Sequence, residues 1–287
     1  MEKSNFIHEF IAGNIGGLCG IFAVYPLDTA KIRMQIYPHY KSTRDVIRQM
    51  SAADGYKSLY RGSPAPIAGF GLTFAISFSS YGFCCRELAR RKSIELNELD
   101  YFDLALAGTV TGFVQSPTRQ IMERFKSIMQ VHENSFGKVS YKWTGSCFRE
   151  LIRKEGIRNG LFQGFGSVLL REVPQFAVYY PCYEMMKLHL SSHIDNSVVV
   201  QLLSGGVAGV VQWLPPIYCF DVIKSKMQTV SKGTYSGIAD CAREIYRTNG
   251  IKGFFRGFTP AMFRAFPLHA IIFCGYETSL SMLQQKR

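Results

Sequence analysis

The chain has 287 residues, of which 47% are hydrophobic, and it carries a net charge of +12 at pH 7. Residues 29–62, 124–164 and 222–257 together hold 22 of the 33 Lys and Arg residues but only 7 of the 21 Asp and Glu residues. Such basic blocks, alternating with long apolar blocks, are typical of a membrane protein with one positively charged face, and they argue against a uniformly basic nucleic-acid-binding protein.

The first predicted element is a long apolar helix that begins near Phe6 and ends with the stretch YPLDTAKIRMQ at residues 25–35. Its glycines, which include Gly16 and Gly20, are spaced four apart, so that a second helix can approach closely within lipid. A basic segment with a short amphipathic helix follows this first helix. A second long helix is then expected at roughly residues 64–92.

Two stretches of this first unit return later in the chain, which indicates internal repeats. PLDTAKIRMQ returns as IMERFKSIMQ and CFDVIKSKMQ, so that the acids Asp28, Glu123 and Asp221 lie 95 and 98 residues apart. DGYKSLYRG likewise returns as EGIRNGLFQG and NGIKGFFRG. We therefore predict a single domain that is built from three similar repeats. The repeats are placed at residues 1–97, 98–195 and 196–287.

Each repeat predicts two long helices with a basic segment and a short amphipathic helix between them. Three repeats of two spans give six transmembrane helices, and each exceeds the ~20 residues that are needed to cross a bilayer. Because six is an even number, both termini lie on one side of the membrane and the basic segments face the other. The fold class that we expect is an all-α membrane protein.

The triplicated stretch, with its acid, its base three residues later and its glutamine four residues beyond the base, resembles the pattern P-x-D/E-x-x-K/R-x-K/R-x-Q of the mitochondrial carrier family. Each copy is followed by an acid or amide, a glycine and an aromatic-x-G ending, so the resemblance covers essentially the whole chain. The resemblance implies a pseudo-threefold barrel of six helices around a central cavity, with the short amphipathic helices on the matrix side. It also implies a solute transporter of the mitochondrial inner membrane, with both termini toward the intermembrane space. We expect this transporter to function as a monomer.

The acid and the base of each repeat lie three residues apart, on one face of a helix. The resemblance implies that each acid pairs with the base of the next repeat and that the three pairs close a matrix gate. These pairs are Asp28 with Lys126, Glu123 with Lys224, and Asp221 with Lys31. Such a ring is not very costly to break, because desolvation offsets much of the Coulomb attraction. In the family, glutamines one turn beyond each base brace the pairs; here they are Gln35, Gln130 and Gln228.

The prolines depart from the family pattern. Only Pro26 stands in register, since the second and third repeats have Ile121 and Cys219 at that position. Pro117 and Pro215 each stand four residues earlier, on the same helix face. We expect the kink of the odd-numbered helices to be retained but displaced.

Substrate contacts are expected on the second helix of each repeat. The aligned positions of the family are Gly69, Arg171 and Arg264. A guanidinium can hold a carboxylate, Glu172 can pair with an ammonium group, and an aromatic face favours a quaternary ammonium. Arg119 has two open roles, as an anion contact or as a partner of Glu123. The candidate substrate residues are Gly69, Phe70, Arg119, Arg171, Glu172, Tyr179 and Arg264.

These residues predict a zwitterionic cargo, namely an amino acid, carnitine or an acylcarnitine. The alternatives are S-adenosylmethionine and a carboxylate or keto acid that the arginines bind alone. Arg171 and Glu172 have a plainer interpretation, in which they neutralise each other or help the gate. A membrane adaptor that keeps the carrier fold without transporting is the alternative from another class, and the six gate residues argue against it.

The short amphipathic helices also predict a lipid site. Their N-termini and the added Lys and Arg residues favour anionic head groups, and in the family cardiolipin binds there. Gly62, Gly164 and Gly257 begin the following helices nearby. A general excess of positive charge on the matrix side would explain the same basic residues without specific lipid binding.

Other classes of site find no support in the sequence. The eight cysteines form no CxxC pair, so we expect neither a zinc site nor a disulfide framework. Glu2, Lys3, His8 and Glu9 interrupt the N-terminal stretch, which therefore predicts no signal peptide. No phosphate-binding loop, metal cluster or nucleophile–base pair is recognisable, so we expect no enzyme, no cofactor and no nucleic-acid partner.

Overall fold

A computed structural model describes residues 2–131, 144–230 and 233–285, and within these ranges the chain is helical and contains no strand. Ten α-helices lie in these described ranges. They are α1 (Glu2–Ile36), α2 (Thr43–Asp54), α3 (Pro64–Lys92), α4 (Tyr101–Val131), α5 (Thr144–Phe162), α6 (Phe165–Ser191), α7 (Ser197–Val211), α8 (Ile217–Thr229), α9 (Ile238–Asn249) and α10 (Phe258–Gln285).

The three repeats have the same order of elements. A long helix, a short helix and a second long helix follow one another as α1–α2–α3 and α4–α5–α6. The short helices are amphipathic: α2 buries Val46 and Met50 against α1, and α9 buries Cys241 and Ile245 against α8. These buried faces fix the short helices at the same ends of α1 and α8.

In the third repeat the first long helix is broken into α7 and α8. The break spans residues 212–216 and contains Pro215 and Pro216. Two consecutive prolines remove two backbone donors, so the helix cannot continue through them. Pro26 and Pro117, in contrast, lie inside the continuous helices α1 and α4. The expectation of a displaced kink is therefore wrong in its form for the third repeat, where a full break takes its place.

The long helices pack side by side in a closed order. α3 contacts α1 and α4, α6 contacts α4 and the α7–α8 pair, and α10 contacts both α7 and α1. Glycines allow the closest approaches: a Cβ atom on Gly16 would overlap the carbonyl oxygen of Ile272, and one on Gly108 would overlap that of Phe176. The small residues thus bring α1 against α10 and α4 against α6 at backbone distance.

Two segments of the described residues are long and apolar enough to cross a membrane by length and composition alone. They are Ile11–Ile36 and Tyr56–Lys92. Large apolar side chains are also exposed on the long helices. Among the exposed ones are Phe22, Phe74, Phe78, Phe83, Phe113 and Phe263.

Candidate functional site

Six charged side chains from α1, α4 and α8 meet where these helices converge, and we call this cluster the ion-pair ring. Lys31 Nζ lies 2.8 Å from Asp221 Oδ2, and Lys224 Nζ lies 2.8 Å from Glu123 Oε2. Lys126 bonds to Asp28. Each acid therefore contacts the base of another repeat. The ion-pair ring consists of Asp28, Lys31, Glu123, Lys126, Asp221 and Lys224.

Four of the six ring residues are buried, and Glu123 and Lys126 are half-buried. Asp221 is 1% exposed and Lys224 is 4% exposed, and both lie on α8 just after the break in the third repeat. A buried charge is strongly unfavourable unless it is paired and hydrogen-bonded. Each ring residue therefore depends on its partner from a different helix, which links α1, α4 and α8.

Arg171 on α6 extends the ion-pair ring rather than standing apart from it. Its Nη2 lies 2.8 Å from Glu123 Oε2, and its Nη1 lies 3.2 Å from Asp221 Oδ1. The same guanidinium also bonds to Glu172. Arg171 is 4% exposed, so in this conformation the three carboxylates occupy its guanidinium. Its geometry matches the plainer interpretation, in which Arg171 and Glu172 neutralise each other and support the ring.

Arg264 on α10 makes the equivalent connection to the third acid, because it bonds to Asp28. Each ring acid thus contacts one ring lysine and one arginine from a second helix of a repeat. Glu172 raises the number of carboxylates in this cluster to four, and Arg119 raises the number of cations to six. The carboxylates are Asp28, Glu123, Glu172 and Asp221, and the cations are Lys31, Arg119, Lys126, Arg171, Lys224 and Arg264.

Arg119 pairs with Glu172, which is neither of the two roles that its position suggested. Arg119 Nε lies 3.4 Å from Glu172 Oε2, and the Arg119 side chain is 35% exposed. Glu172 itself is fully buried and also accepts a hydrogen bond from Gln115 Nε2 at 2.8 Å. Gln115 and Arg119, which lie on successive turns of α4, therefore both contact the Glu172 carboxylate.

The three glutamines that follow the bases behave differently from one another. Gln35 Nε2 donates to Asp221 Oδ2 at 2.8 Å and so contacts the ring directly. Gln130 donates to the Thr29 hydroxyl at 2.9 Å, and Gln228 donates to Gln120 at 2.8 Å. For Gln130 and Gln228 the expectation of a direct brace is wrong, because their amides reach neutral groups that lie beside the ring.

Three of the candidate substrate residues contact neighbouring residues in this conformation. An added Cβ at Gly69 would meet Met122 Sδ at 2.6 Å, so the space beside Gly69 is already filled by α4. The Phe70 ring lies over Gly17 of α1. Tyr179 belongs to an aromatic group on α6, with its ring centroid 5.5 Å from that of Tyr180. The aligned positions in the first repeat therefore offer no open surface for a ligand.

Trp213, in the break between α7 and α8, was not singled out by the motifs. Lys31 Nζ lies 4.2 Å from its ring centroid, and the Arg171 and Arg264 guanidinium carbons lie 5.8 and 5.9 Å away. A cation over an indole face is attracted by the ring quadrupole. A tryptophan eight residues before a ring acid, beside two prolines, is the signal that could have identified it.

Three arginines join the ends of the helices that carry the ion-pair ring. Arg33 Nε donates to the Gln130 carbonyl at 2.9 Å, Arg124 Nη1 to the Gln228 carbonyl at 3.4 Å, and Arg256 Nε to the Met34 carbonyl at 2.8 Å. The last carbonyls of a helix have no partner within it. These contacts therefore satisfy the ends of α4, α8 and α1 from outside each helix, and sequence reasoning missed them.

The glycines of the expected lipid site share one backbone conformation. Gly62, Gly164 and Gly257 have φ angles of 82°, 78° and 76°, which residues with a side chain rarely adopt. A cavity of about 360 Å³ lies next to the last of them, between α1, the start of α2 and the start of α10. Its lining includes Lys41, Ser42, Thr43, Arg44, Thr259 and Pro260.

Within the described ranges, no three His, Cys, Asp or Glu side chains are grouped as metal ligands would be. His269 follows the third of the aligned positions by five residues and was expected either to face the cavity or to be packed; its side chain lies outside the described residues.

Comparison with known proteins agrees with the motifs. A family model described as "Mitochondrial carrier protein" matches residues 2–92, 97–194 and 195–287. The mitochondrial carnitine/acylcarnitine carrier protein of Mus musculus is 36% identical over 96% of this chain and 94% of its own length. The mitochondrial magnesium exporter 1 of Drosophila melanogaster is 34% identical over 99% of this chain and 97% of its own length. The mitochondrial arginine transporter BAC2 of Arabidopsis thaliana is 34% identical over 96% of this chain and 91% of its own length.

The family match extends over all three repeats, and the relatives align along nearly their whole length. The interlocked acids and bases described above stand at the motifs that repeat along this chain, one set within each matched range. Members of the family are transporters rather than enzymes. The family resemblance read from the repeated motifs is confirmed: this chain belongs to the mitochondrial carrier family.

Proposed function

We propose that this carrier moves a small metabolite that bears both a carboxylate and a cationic group, such as an amino acid, carnitine or an acylcarnitine. The single observation that carries the proposal is the position of Arg171, which contacts the ring acids Glu123 and Asp221 and also Glu172. A cargo carboxylate that takes the Arg171 guanidinium removes a cation from two ring acids at once. Cargo binding and ring opening are thereby coupled.

The ion-pair ring would act as the matrix gate in this scheme, and the described conformation has that gate closed. A ligand shifts a conformational equilibrium only by its different affinity for the two states. Here the difference arises because Arg171 and Arg264 bind either the ring acids or the cargo. The cargo replaces part of the pairing that the ring loses, so the carrier opens to the matrix when it is loaded.

The charge balance supports a cargo with at least one carboxylate. Four carboxylates face six cations in the cluster, which leaves an excess of two positive charges. The same excess favours a carboxylate or keto acid as the second candidate. Two of the relatives carry names with carnitine/acylcarnitine or arginine, and both of these molecules combine a carboxylate with a cationic nitrogen.

The topology that accompanies this function is a six-span barrel in the mitochondrial inner membrane, with both termini toward the intermembrane space. It is supported by the closed order of the long helices and by the exposed phenylalanines that these helices carry. The cavity beside Gly257, which is lined by Lys41 and Arg44 next to the N-terminus of α2, is the proposed site for cardiolipin. We propose that a monomer is sufficient for transport.

Exchange measurements in reconstituted liposomes test the proposal. Proteoliposomes are loaded with, and exposed to, L-carnitine, L-arginine or 2-oxoglutarate in turn. We expect uptake of a cation-bearing probe, and we expect Glu172→Gln to weaken that uptake relative to uptake of 2-oxoglutarate. Equal effects of Glu172→Gln on both types of probe would assign the cargo to the carboxylate class. Absence of exchange with every metabolite, with the protein folded, would favour the adaptor alternative.

A further inference from the structure

Two neutral polar side chains, Ser77 and Gln115, form a hydrogen-bonded series that ends at the Glu172 carboxylate. Gln115 on α4 is fully buried, and its Nε2 donates to Glu172 Oε2 at 2.8 Å. Ser77 on α3, which is also buried, donates to Gln115 Oε1. This hydrogen-bonded series therefore joins α3, α4 and α6 through two side chains that the sequence motifs do not include.

The backbone geometry explains why Gln115 can reach Glu172. An added Cβ at Gly112 would lie 2.7 Å from the Glu172 carbonyl oxygen, so α4 and α6 are in backbone contact one turn before Gln115. Gln115 then spans the short remaining distance. On the other side, the Ser77 hydroxyl also lies 2.9 Å from the Thr73 carbonyl within its own helix, which restricts its position.

Ser77 fixes which way the Gln115 amide points. A primary amide has a carbonyl acceptor at one end and donors at the other. Because the carbonyl end accepts from Ser77, the NH₂ end must face Glu172 and can donate to its carboxylate. The reversed amide would place a carbonyl oxygen against a carboxylate oxygen, which is repulsive and leaves both buried groups without a hydrogen bond.

The neutrality of Gln115 is the feature that matters for cargo. Arg171 neutralises Glu172 from its own helix, whereas Gln115 holds the carboxylate in place without adding a charge. The remaining partner, Arg119, is the more distant one at 3.4 Å and is 35% exposed. We propose that Gln115, oriented by Ser77, is a positioning residue that presents the Glu172 carboxylate to the cationic group of the cargo when Arg119 is displaced.

The inference rests on the proposed function for its link to cargo, but its structural part can be tested without any cargo. Infrared difference spectra between the purified wild-type protein and Glu172→Gln assign the carboxylate band of Glu172. We expect the near-isosteric variant Gln115→Met to shift this band. We expect Ser77→Val to shift the band as well. The separate variant Ser77→Thr, in which threonine has the shape of valine but keeps a hydroxyl group, should leave the band at its wild-type position. An unshifted band in Gln115→Met would overturn the proposal.

Transport measurements then separate positioning from a general structural role. In proteoliposomes, we expect Gln115→Met to raise the KM for whichever of L-carnitine and L-arginine is taken up by roughly tenfold, with Vmax within about twofold of wild type. Inhibition by 3-hydroxybutyrate, which resembles carnitine without its ammonium group, should be unchanged. A loss of Vmax alone, or equal weakening of both compounds, would contradict a positioning role. If the wild type takes up neither probe, the cargo class is wrong, while the infrared result still decides the role of Gln115.

Discussion

Arg171 on α6 donates to Glu123 on α4 at 2.8 Å, and the same guanidinium reaches Asp221 on α8 at 3.2 Å. One side chain thereby bridges acids from two different repeats. Since Lys224 and Lys31 contact the same two acids, removal of Arg171 would leave each acid with one cation instead of two. This shared use of Arg171 is the physical basis on which we connect cargo binding to the opening of the ion-pair ring.

The first prediction concerns the shape of the Arg171 head group. Arg171→Lys keeps the charge but replaces a planar fork with a compact ammonium, which cannot serve Glu123, Asp221 and Glu172 together. We expect the variant to raise the KM for cargo by at least about tenfold and to lower thermal stability. Uptake kinetics and a melting curve of the purified protein check both effects. Wild-type kinetics in Arg171→Lys would show that the bridging geometry is irrelevant to transport.

The glutamines provide a matched comparison within the chain. Gln35 contacts the ring acid Asp221, whereas Gln130 contacts Thr29 beside the ring. We expect Gln35→Leu to change the exchange rate, because it loosens the closed ring, and Gln130→Leu to lower stability by about 1 kcal/mol with a smaller effect on rate. Proteoliposome exchange and denaturant unfolding separate the two. The reverse order of effects on the exchange rate would contradict the assignment of Gln35 as the direct brace.

The cavity beside Gly257 predicts a lipid effect. Lys41 and Arg44 line it, close to the N-terminus of α2, where anionic groups are favoured. We expect Lys41→Gln combined with Arg44→Gln to reduce the rise in melting temperature that added cardiolipin produces. Lys57→Gln is the control, because Lys57 is an exposed basic residue of the same repeat outside the cavity. An equal loss in the control would indicate a general charge effect instead of a site.

The buried thiols of the short helices predict a pH dependence. Burial raises the pKa of Cys147 and of Cys241 to about 12. The folded state thus favours the neutral thiol, while an unfolded thiol ionises near pH 8.5. The stabilising contribution is complete below about pH 8.5 and is lost as the pH rises toward 12.

Denaturant unfolding at pH 8 and at pH 10 checks the pH dependence, and we expect lower stability at pH 10. Thiol labelling checks the burial behind it, because the thiolate is the reactive form. At pH 8 we expect a maleimide to modify the exposed Cys19 and Cys274 before Cys147 and Cys241. Mass spectrometry of peptides from protein in detergent identifies the modified positions. Early labelling of Cys241 in the folded protein would show that α9 does not bury it as described.

The parts of the site that follow from sequence are those fixed by spacing along a helix. The repeated spacing of three residues between an acid and a base identified the six charged residues of the ring. The structure places each of these acids against a base of another repeat. The contacts that sequence reasoning missed come from side chains whose partners lie far away along the chain. Trp213 lies in a break that two adjacent prolines impose, and Gln115 reaches Glu172 only because Gly112 admits α6.

Gly69 and Phe70 show that residues aligned with the family's contact positions can be covered by neighbouring helices in this conformation. Whether such a position is open to a ligand depends on the side chain beside it, and here Met122 fills the space beside Gly69. The glutamines show the same limit. Their spacing is identical in the three repeats, but Gln130 and Gln228 find nearer neutral partners in Thr29 and Gln120.

Cross-linking across the ion-pair ring tests the central claim most directly. Thr29 on α1 and Gln130 on α4, whose side chains hydrogen-bond beside the ring, are replaced by cysteines in a variant whose eight native cysteines have been changed to serine or alanine, and a short bifunctional thiol reagent joins them. Because cargo binding is expected to open the ring, the rate of cross-linking should fall when the transported metabolite is added and should be unchanged by a metabolite that is not transported. A cross-linking rate that is the same with and without transported cargo would contradict the coupling of cargo binding to the ring.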